Sequence, residues 1–287
     1  MIYLSSFSFP SSGVEDNYLA FSARAKYTCY DSYYPFGVFR EAGRSHYDLT
    51  DITILYGGNG SGKTTVLNVM ADALRLNRGA AYNRTDFFAD YVRLCQFDVL
   101  HAIPPSSLIL TSDDVFDYML DLRTINDKID TRRGELFDEV TEARSAKFQM
   151  HSMEDYDRLK EVSQARRMSK SQIARRNLAP NVRTRSNGES AFLVFQEKLK
   201  SNALYLLDEP ENSLSAARQM ELAQYLSDSA RFYRCQFVIA THSPFLLAIP
   251  GARIYDLDSR PVQARRWTEL ESVREYYDFF KAHEEEF

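Results

Sequence analysis

The sequence predicts an α/β fold built on a mostly parallel sheet. Short apolar runs that end in glycine or in acidic residues alternate with segments of helical periodicity, the pattern of strands joined by crossover helices. One of these runs leads through a glycine-rich loop directly into a helical segment. The chain has 287 residues, of which 44% are hydrophobic and 26% charged, so it is long and apolar enough for one large domain of this class.

The N-terminal half is expected to begin with an antiparallel β edge and to continue into the parallel sheet. Its first residues are rich in Tyr, Phe and Ser, and Tyr18–Ala23 and Phe36–Arg40 are the candidate strands of this edge. Ile52–Tyr56 is a short, mostly apolar run before a glycine pair, which is typical of a buried strand. A helix is predicted over Thr64–Leu76, and a further strand over Val92–Phe97.

The C-terminal half continues the alternation after a change in composition. Residues 126–180 are dense in charge and helix-forming but poor in apolar positions, so we predict a helical insertion in a single domain spanning 1–287. An ordinary helical layer on the sheet is the alternative. Ala203–Leu207, Gln236–Ala240 and Arg253–Leu257 follow as predicted buried strands.

The composition argues against membrane, secreted and zinc-binding proteins. No apolar run reaches the roughly 18 residues that a membrane span needs, and the N-terminal residues lack the basic and long apolar stretches of a secretory signal. Three cysteines, an odd number without a Cys-x-x-Cys pair, favour neither a disulfide framework nor a zinc site. We therefore expect a cytoplasmic protein in a reducing environment.

A complete phosphate-binding loop stands after the predicted strand Ile52–Tyr56. Residues 57–64 read Gly-Gly-Asn-Gly-Ser-Gly-Lys-Thr and match G-x-x-x-x-G-K-[ST], in the strand-to-helix context that the motif requires. Its backbone N–H groups and the helix N-terminus would face phosphate oxygens, Lys63 would reach the β- and γ-phosphates, and the Thr64 hydroxyl would hold Mg²⁺. The nucleotide contacts predicted from this loop are Gly57, Gly58, Asn59, Gly60, Ser61, Gly62, Lys63, Thr64 and Thr65.

A second motif places two acids at the end of an apolar strand. The run from Leu204 to Leu207 is followed by Asp208 and Glu209. At the carboxyl end of a parallel strand, these side chains would lie beside the phosphate loop. Asp208 is expected to bind Mg²⁺ through water and Glu209 to act as general base on the attacking water. A strand ending in solvated charge is the alternative, which the accompanying phosphate loop disfavours.

Further motifs resemble those of ATP-binding-cassette (ABC) ATPases, in the order of that family. Arg185–Glu189 resembles the LSGGQ signature, and Ser213–Ser215 stands in the place of the D-loop. Thr241–Pro244 resembles the switch-histidine loop, and Gln96 looks like the Q-loop glutamine. Within the superfamily the chain is similar to soluble ATPases related to structural-maintenance-of-chromosomes (SMC) proteins.

The resemblance implies an ABC-type ATPase head that uses ATP and Mg²⁺. In this superfamily the signature of one subunit completes the phosphate site of another, so it implies a homodimer or higher oligomer joined head to tail by ATP. Arg185, Asn187 and Ser215 depart from the family pattern, which implies slow hydrolysis. The residues that it assigns are Thr64, Gln96 and Asp208 to the metal, Ser186, Gly188 and Glu189 to the nucleotide, and Lys63, Glu209 and His242 to catalysis.

Similar soluble ATPases occur in bacterial antiviral systems of the Septu and retron-associated kind and in DNA-maintenance machines. The resemblance therefore implies a switch that gates a partner effector, a nuclease acting on nucleic acid. The alternatives are the energy-coupling subunit of a membrane transporter and a nucleotide-binding scaffold without hydrolysis. The atypical signature and the charged insertion disfavour the first, and the retained Lys63, Asp208, Glu209 and His242 disfavour the second.

One stretch is strongly basic although the chain has a net charge of −5. Between Gln164 and Arg185 there are seven Lys and Arg residues and no Asp or Glu. Such a stretch is a candidate site for nucleic-acid phosphates, and a partner-protein surface or a solvated helix are the alternatives. The residues proposed for phosphate contact are Arg166, Arg167, Lys170, Arg175 and Arg176.

Overall fold

The structure is a computed structural model that divides into two compact units. One unit comprises residues 1–116 and 187–287, and the other residues 117–186. The residues that the structure describes are 1–27, 29–40, 46–145, 156–181 and 187–287.

A six-stranded, mostly parallel sheet forms the centre of the first unit, with the strand order β5-β6-β7-β3-β8-β9. Neighbouring strands are parallel except for β9, which pairs antiparallel with β8. Every residue of β3, β6 and β7 is buried, as expected for the middle of a sheet covered on both faces. The predicted α/β fold is thereby confirmed. The strands are β3 (Ile52–Tyr56), β5 (Leu108–Thr111), β6 (Leu204–Asp208), β7 (Gln236–Ala240), β8 (Arg253–Asp256) and β9 (Gln263–Arg265).

A separate three-stranded antiparallel sheet confirms the β edge but uses other residues than those predicted. Its strands are β1 (Leu4–Ser8), β2 (His46–Asp48) and β4 (Gln96–Val99), in the order β2-β1-β4. The predicted strands Tyr18–Ala23 and Phe36–Arg40 are wrong.

Tertiary packing explains these two errors. Most of Tyr18–Ala23 lies in helix α1 (Ser12–Phe21), where the Tyr18 ring stacks on Phe36 at 4.8 Å between centroids. Phe36–Arg40 forms turns, because Gly37 adopts a φ of +88° and its N–H donates to the buried Glu15 carboxylate at 2.9 Å.

The predicted strand Val92–Phe97 is also wrong over most of its length. Residues Phe88–Leu94 form helix α3, and a strand begins only at Gln96 as β4. Phe88 and Tyr91, which are three residues apart, are both fully buried on one face of α3. This helical packing overrides the strand-like run of apolar residues that follows.

Helices cover the sheet and build the second unit. The long helix α4 (Ser112–Ser145) runs from the first unit into the second, where α5 (Tyr156–Arg167) and α6 (Lys170–Asn177) follow. Val140, Ala165 and Ile173 form the small apolar core of the second unit. None of the described helices is long and apolar enough to cross a membrane. The remaining helices are α2 (Lys63–Ala73), α7 (Asn187–Lys198), α8 (Ala216–Phe232), α9 (Pro244–Leu247) and α10 (Glu271–Ala282).

The side chain of Gln236 joins the two sheets of the first unit. This residue begins β7 and is fully buried. Its Oε1 accepts hydrogen bonds from the N–H groups of Tyr3 and Leu4 at 2.8 and 2.9 Å. Its Nε2 donates to the carbonyls of Leu4 and Thr50 at 2.7 and 3.0 Å. One amide thus satisfies four backbone groups where β1 meets the central sheet.

We expect Gln236→Leu to lower the free energy of unfolding by about 2–4 kcal/mol, because buried backbone groups lose their partners. Gln263→Leu is the control, since Gln263 is exposed on β9; there the same exchange should change stability by less than about 0.5 kcal/mol. Urea unfolding of both variants measures the difference. Equal, small losses would show that the Gln236 amide does not hold the sheets together.

Candidate nucleotide-binding and hydrolysis site

The sequence motifs meet where three parallel strands end. Ala240 of β7 pairs with Leu55 of β3 on one side and with Asp208 of β6 on the other. The phosphate loop, the acid pair and the switch-histidine loop each begin at the carboxyl end of one of these strands. Ligands of open α/β sheets bind at this edge.

The phosphate loop adopts a backbone conformation that requires glycine at two positions. Gly60 and Gly62 adopt φ values of +82° and +92°, and Gly62 immediately precedes α2. A Cβ atom at Gly57 would lie 2.5 Å from the Ser61 hydroxyl oxygen. Lys63 is buried, and its Nζ donates to the Gly57 and Gly58 carbonyls at 2.7 and 2.9 Å. The ammonium therefore lies across the loop, where a phosphate would find a positive charge.

Asp208 has the surroundings of a metal ligand. It is buried at the end of β6, and Thr64 lies beside it in the lining of the same cavity. Burial raises the pKa of Asp208 to about 6, helped by the nearby Glu209 and Glu211 carboxylates and opposed by the Thr64 hydroxyl and by Lys63. Its Oδ1 is buried without a hydrogen-bond partner.

These features fit Mg²⁺. A carboxylate and a hydroxyl are oxygen ligands of the kind this ion prefers, with phosphate and water oxygens completing its shell. The buried oxygen of Asp208 that lacks a partner is the atom such an ion would satisfy.

Glu209 is held between a cation and an imidazole. Its Oε1 lies 3.9 Å from Lys63 Nζ and 3.9 Å from His242 Nδ1, and its Oε2 accepts a hydrogen bond from Asn212 at 3.2 Å. Its φ of +48° is in the left-handed region, which is costly for a residue with a Cβ atom. Such strain concentrates at functional sites.

Glu211 is a site residue that the sequence analysis did not single out. It is buried, and its Oε1 accepts hydrogen bonds from the Thr241 hydroxyl at 2.6 Å and from the His242 and Ser243 N–H groups at 3.0 and 3.2 Å. This carboxylate ties the turn after β6 to the histidine loop after β7 and so sets the position of His242. The only sequence signal for it is a third acid close behind Asp208.

Hydrogen bonds extend this network to the D-loop segment. The Ser243 hydroxyl donates to Gln219 Oε1 at 2.7 Å, and Gln219 Nε2 donates to the Leu214 carbonyl at 2.9 Å. Ser213, in the same segment, has a φ of +68°.

A cavity of about 560 Å³ opens beside Asp208 and Glu209 and contains further residues that were not predicted. The register that pairs Thr111 with Asp208 brings the start of α4 to this edge. Tyr34 donates a hydrogen bond from its hydroxyl to Thr65 Oγ1 at 3.1 Å. Predicting β5 from the sequence as the neighbour of β6 would have pointed to the residues at the start of α4. The added lining residues include Tyr34, Asn68, Asn83, Ser112 and Asp113.

The structure does not bring Gln96 to this cavity. Gln96 is the exposed first residue of β4 and lies opposite Ser8 in the three-stranded sheet. It is absent from the described residues that line the cavity beside Asp208 and Glu209. The predicted strand Val92–Phe97, at whose end Gln96 was expected, is wrong over most of its length, because the residues before Gln96 form helix α3.

Part of the signature lies outside the described residues. Arg185 and Ser186 belong to that part. Gly188 and Glu189 lie in the first turn of α7, and Glu189 Oε1 is 3.5 Å from an Arg218 guanidinium nitrogen.

Two apolar side chains cover the start of α2. A Cβ atom at Gly62 would lie 3.3 Å from Val38 and 3.2 Å from the Phe39 ring. No sequence motif marks these residues, whose position depends on the turn at Gly37 and its bond to Glu15.

The basic stretch lies in the second unit. Arg166 and Arg167 end α5, and Lys170, Arg175 and Arg176 lie on α6. The four arginines are exposed, and Lys170 Nζ lies 5.6 Å from the centre of the Phe137 ring.

Residues 142–248 match the family model described as "AAA domain, putative AbiEii toxin, Type IV TA system". This span contains Asp208, Glu209 and His242. This match agrees with the resemblance to ABC-type, SMC-like P-loop ATPases that the motifs predict. Among curated proteins, none matches this chain significantly.

Two solved structures that are similar to this chain have low sequence identity to it. The Smc head domain from Pyrococcus furiosus, with an extended coiled coil and bound to the C-terminal domain of ScpA, is 12% identical, with 97% of this chain and 100% of that chain covered and a TM-score of 0.44. The ATP-binding cassette MJ0796, in a post-hydrolysis dimer with ADP and Pi, is 16% identical, with 79% and 90% covered and a TM-score of 0.36.

The raised pKa of Asp208 makes stability depend on pH. Because its folded pKa of about 6 lies above the ordinary Asp value of 3.8, ionisation costs the folded state stability, which falls as pH rises from about 4 and is fully lost above about 6. We expect the whole loss to approach about 3 kcal/mol, of which about 1.4 kcal/mol falls between pH 5 and pH 7.5, and we expect it to disappear in Asp208→Asn, since the amide has no charge.

Denaturant unfolding at pH 5 and pH 7.5, in wild type and variant without nucleotide, isolates the contribution of Asp208 as the difference between the two proteins. Asp228→Asn, a change on α8, should leave the wild-type pH dependence intact. Parallel pH profiles for wild type and Asp208→Asn would contradict the raised pKa.

Proposed function

We propose that this chain is a molecular switch that binds and hydrolyses ATP with Mg²⁺, and that ATP joins two copies head to tail to gate a partner effector. The observation that carries the proposal is the approach of Lys63 and His242 to the same oxygen of Glu209, at 3.9 Å each, beside the buried Asp208. This arrangement would supply a cation for the phosphates (Lys63), a base for the water (Glu209) and a metal ligand (Asp208) at one edge of the sheet.

Each side chain has a definite task in hydrolysis. Lys63 would exchange its loop carbonyl partners for the β- and γ-phosphate oxygens of ATP. Glu209 would accept a proton from the attacking water as the water oxygen bonds to the γ-phosphorus and the bond from that phosphorus to the bridging oxygen breaks, which releases ADP. His242 would donate a hydrogen bond to the γ-phosphate, from a loop that Glu211 holds in place.

Thr64 and Asp208 would hold the Mg²⁺ ion, which supplies neutralisation of the phosphate charge when bound. Val38 and Phe39 lie over Gly62 at the start of α2, which supports binding of the nucleoside beside them. We assign these two side chains to the apolar wall against which the adenosine packs.

Dimerisation follows from the division of motifs within one chain. The chain has one phosphate loop and one signature, and the family's signature acts on the nucleotide of a second subunit. Ser186, Gly188 and Glu189 would therefore contact ATP held by the other copy.

The effector that we propose is a nuclease acting on nucleic acid, in cytoplasmic antiviral defence or DNA maintenance. The matched family model names an AbiEii toxin and a type IV toxin–antitoxin system, which supports a defence role. The exposed arginines of α5 and α6 support contact with nucleic acid. Energy coupling in a membrane transporter gains no support from the described residues.

We expect Glu209→Gln to keep ATP affinity but to slow phosphate release by about 10²–10⁴-fold, because the amide keeps the shape of the side chain and cannot accept the proton. ATP and Mg²⁺ should then trap a dimer that light scattering detects. Lys63→Ala should weaken ATP binding in calorimetry and form no such dimer.

Glu139→Gln, an exposed change in the second unit, is the matched control and should hydrolyse ATP as the wild type does. Wild-type phosphate release by Glu209→Gln would rule out the general-base role. Dimerisation that is independent of ATP in Lys63→Ala would rule out the proposed nucleotide-driven switch.

The basic stretch is tested by exchanging five residues for Gln. If they contact phosphates, the logarithm of affinity should fall by about 0.7–0.9 per contact for each tenfold rise in salt, and the exchange should flatten that slope for all sequences alike. ATP binding should persist. The exchanged residues are Arg166, Arg167, Lys170, Arg175 and Arg176.

A control variant removes the same number of charges from exposed positions of the first unit, and it should bind DNA and RNA with the wild-type salt slope. Absence of binding by the wild type at low salt, with and without ATP, would make the stretch a protein-binding or solvated surface. The control positions are Arg93, Lys198, Arg234, Arg266 and Arg274.

A further inference from the structure

Helix α10 carries an apolar stripe whose three aromatic side chains are exposed. Val273, Tyr276, Tyr277 and Phe280 recur at positions i, i+3, i+4 and i+7, which places them on one side of the helix. Val273 is buried, but Tyr276, Tyr277 and Phe280 are 50%, 61% and 55% exposed. The helix is thus strongly amphipathic without burying most of its apolar side.

The helix is anchored to the first unit only by its first turn. Leu270 is fully buried just before the helix. The Tyr56 hydroxyl donates to Ser272 Oγ at 2.9 Å and accepts from the Ser272 N–H at 3.2 Å. Every described residue from Arg274 to Ala282 is exposed. The three aromatic side chains of the stripe therefore contribute little to the stability of this fold.

Three of the exposed aromatic rings lie close to one another. Phe279 and Phe280 have ring centroids 5.6 Å apart, and Phe280 lies 6.3 Å from Phe287, which is 94% exposed. Contiguous exposed apolar patches mark binding surfaces on soluble domains. Aromatic side chains also contribute much of the binding energy at protein interfaces.

The negative charge around the stripe indicates which kind of partner could bind there. Residues 271–287 contain six acidic residues and two basic ones, so they account for −4 of the chain's net charge of −5. Two copies of this segment, or this segment and an anionic lipid surface, would repel each other. The acidic residues are Glu271, Glu275, Asp278, Glu284, Glu285 and Glu286.

We propose that residues 271–287 are a docking surface for a basic amphipathic segment of a partner protein. The apolar side chains of that segment pack on Tyr276, Tyr277 and Phe280, and its Lys and Arg side chains pair with the surrounding carboxylates. The proposal goes beyond the ATP switch, since none of these residues belongs to the nucleotide site, and it stands if the switch does not.

The probe is a synthetic helix with Leu on one face and Lys on the other, and its counterpart carries Glu in place of Lys. The single Trp of the chain, Trp267, lies in the 3₁₀ turn just before α10 and reports binding by its fluorescence, in parallel with calorimetry. We expect one Lys peptide to bind each chain without nucleotide, with affinity that falls as salt rises.

The stripe variant combines Tyr276→Ser, Tyr277→Ser and Phe280→Ser and should bind the Lys peptide at least about tenfold more weakly. Because these side chains are exposed, circular dichroism and thermal unfolding should show an intact fold. The matched control is Phe232→Ser, an equally exposed aromatic position at the end of α8, and it should bind as the wild type does.

Four outcomes would overturn the proposal. Equal affinity of the wild type for the Lys and Glu peptides would rule out a basic partner. Wild-type affinity of the stripe variant for the Lys peptide would rule out the aromatic side chains as the binding surface. Self-association of the wild type in sedimentation, or binding to phosphatidylcholine–phosphatidylserine vesicles, would assign the surface to a second copy or to a membrane if the stripe variant abolished it.

Discussion

The parallel pairing of β6, β7 and β3 is the constraint on which the site depends. Hydrogen bonds between buried strands have no water to replace them, so the in-register contact of Ala240 with Leu55 and Asp208 holds three strand ends at one edge. The phosphate loop, the acid pair and the histidine loop start from these ends. The sheet thus brings residues that are far apart in the chain within hydrogen-bonding distance of one another.

Two residues at the end of β6 have conformations or charges that lower the stability of the fold. Glu209 accepts a left-handed backbone conformation, and Asp208 is ionised at a cost that its raised pKa reflects. Glu211 offsets part of this cost, because its buried carboxylate satisfies one hydroxyl and two N–H groups of the histidine loop. The same bonds couple His242 to the turn that carries Glu209.

Charge balance explains why this edge suits a nucleotide with its metal. Asp208, Glu209 and Glu211 lie within four consecutive residues, and the approach of Lys63 neutralises only part of their charge. A divalent cation at Asp208 would lower the mutual repulsion of the carboxylates and attract the phosphates that Lys63 and the loop N–H groups also bind. Substrate and metal would therefore each strengthen the binding of the other.

Local patterns determined much of this protein. The phosphate loop, the strands Ile52–Tyr56 and Gln236–Ala240, and the acids at Asp208 and Glu209 could be predicted because each depends on neighbouring residues: an apolar run, a glycine-rich turn, a helical period.

Only the tertiary structure decided which elements become neighbours. It made Phe88–Leu94 a helix, gave Gln96 to the antiparallel sheet, brought Ser112 and Asp113 beside Asp208, and placed Glu211 under the histidine loop. These outcomes rest on long-range pairing and on the burial of single side chains, which a run of adjacent residues does not encode.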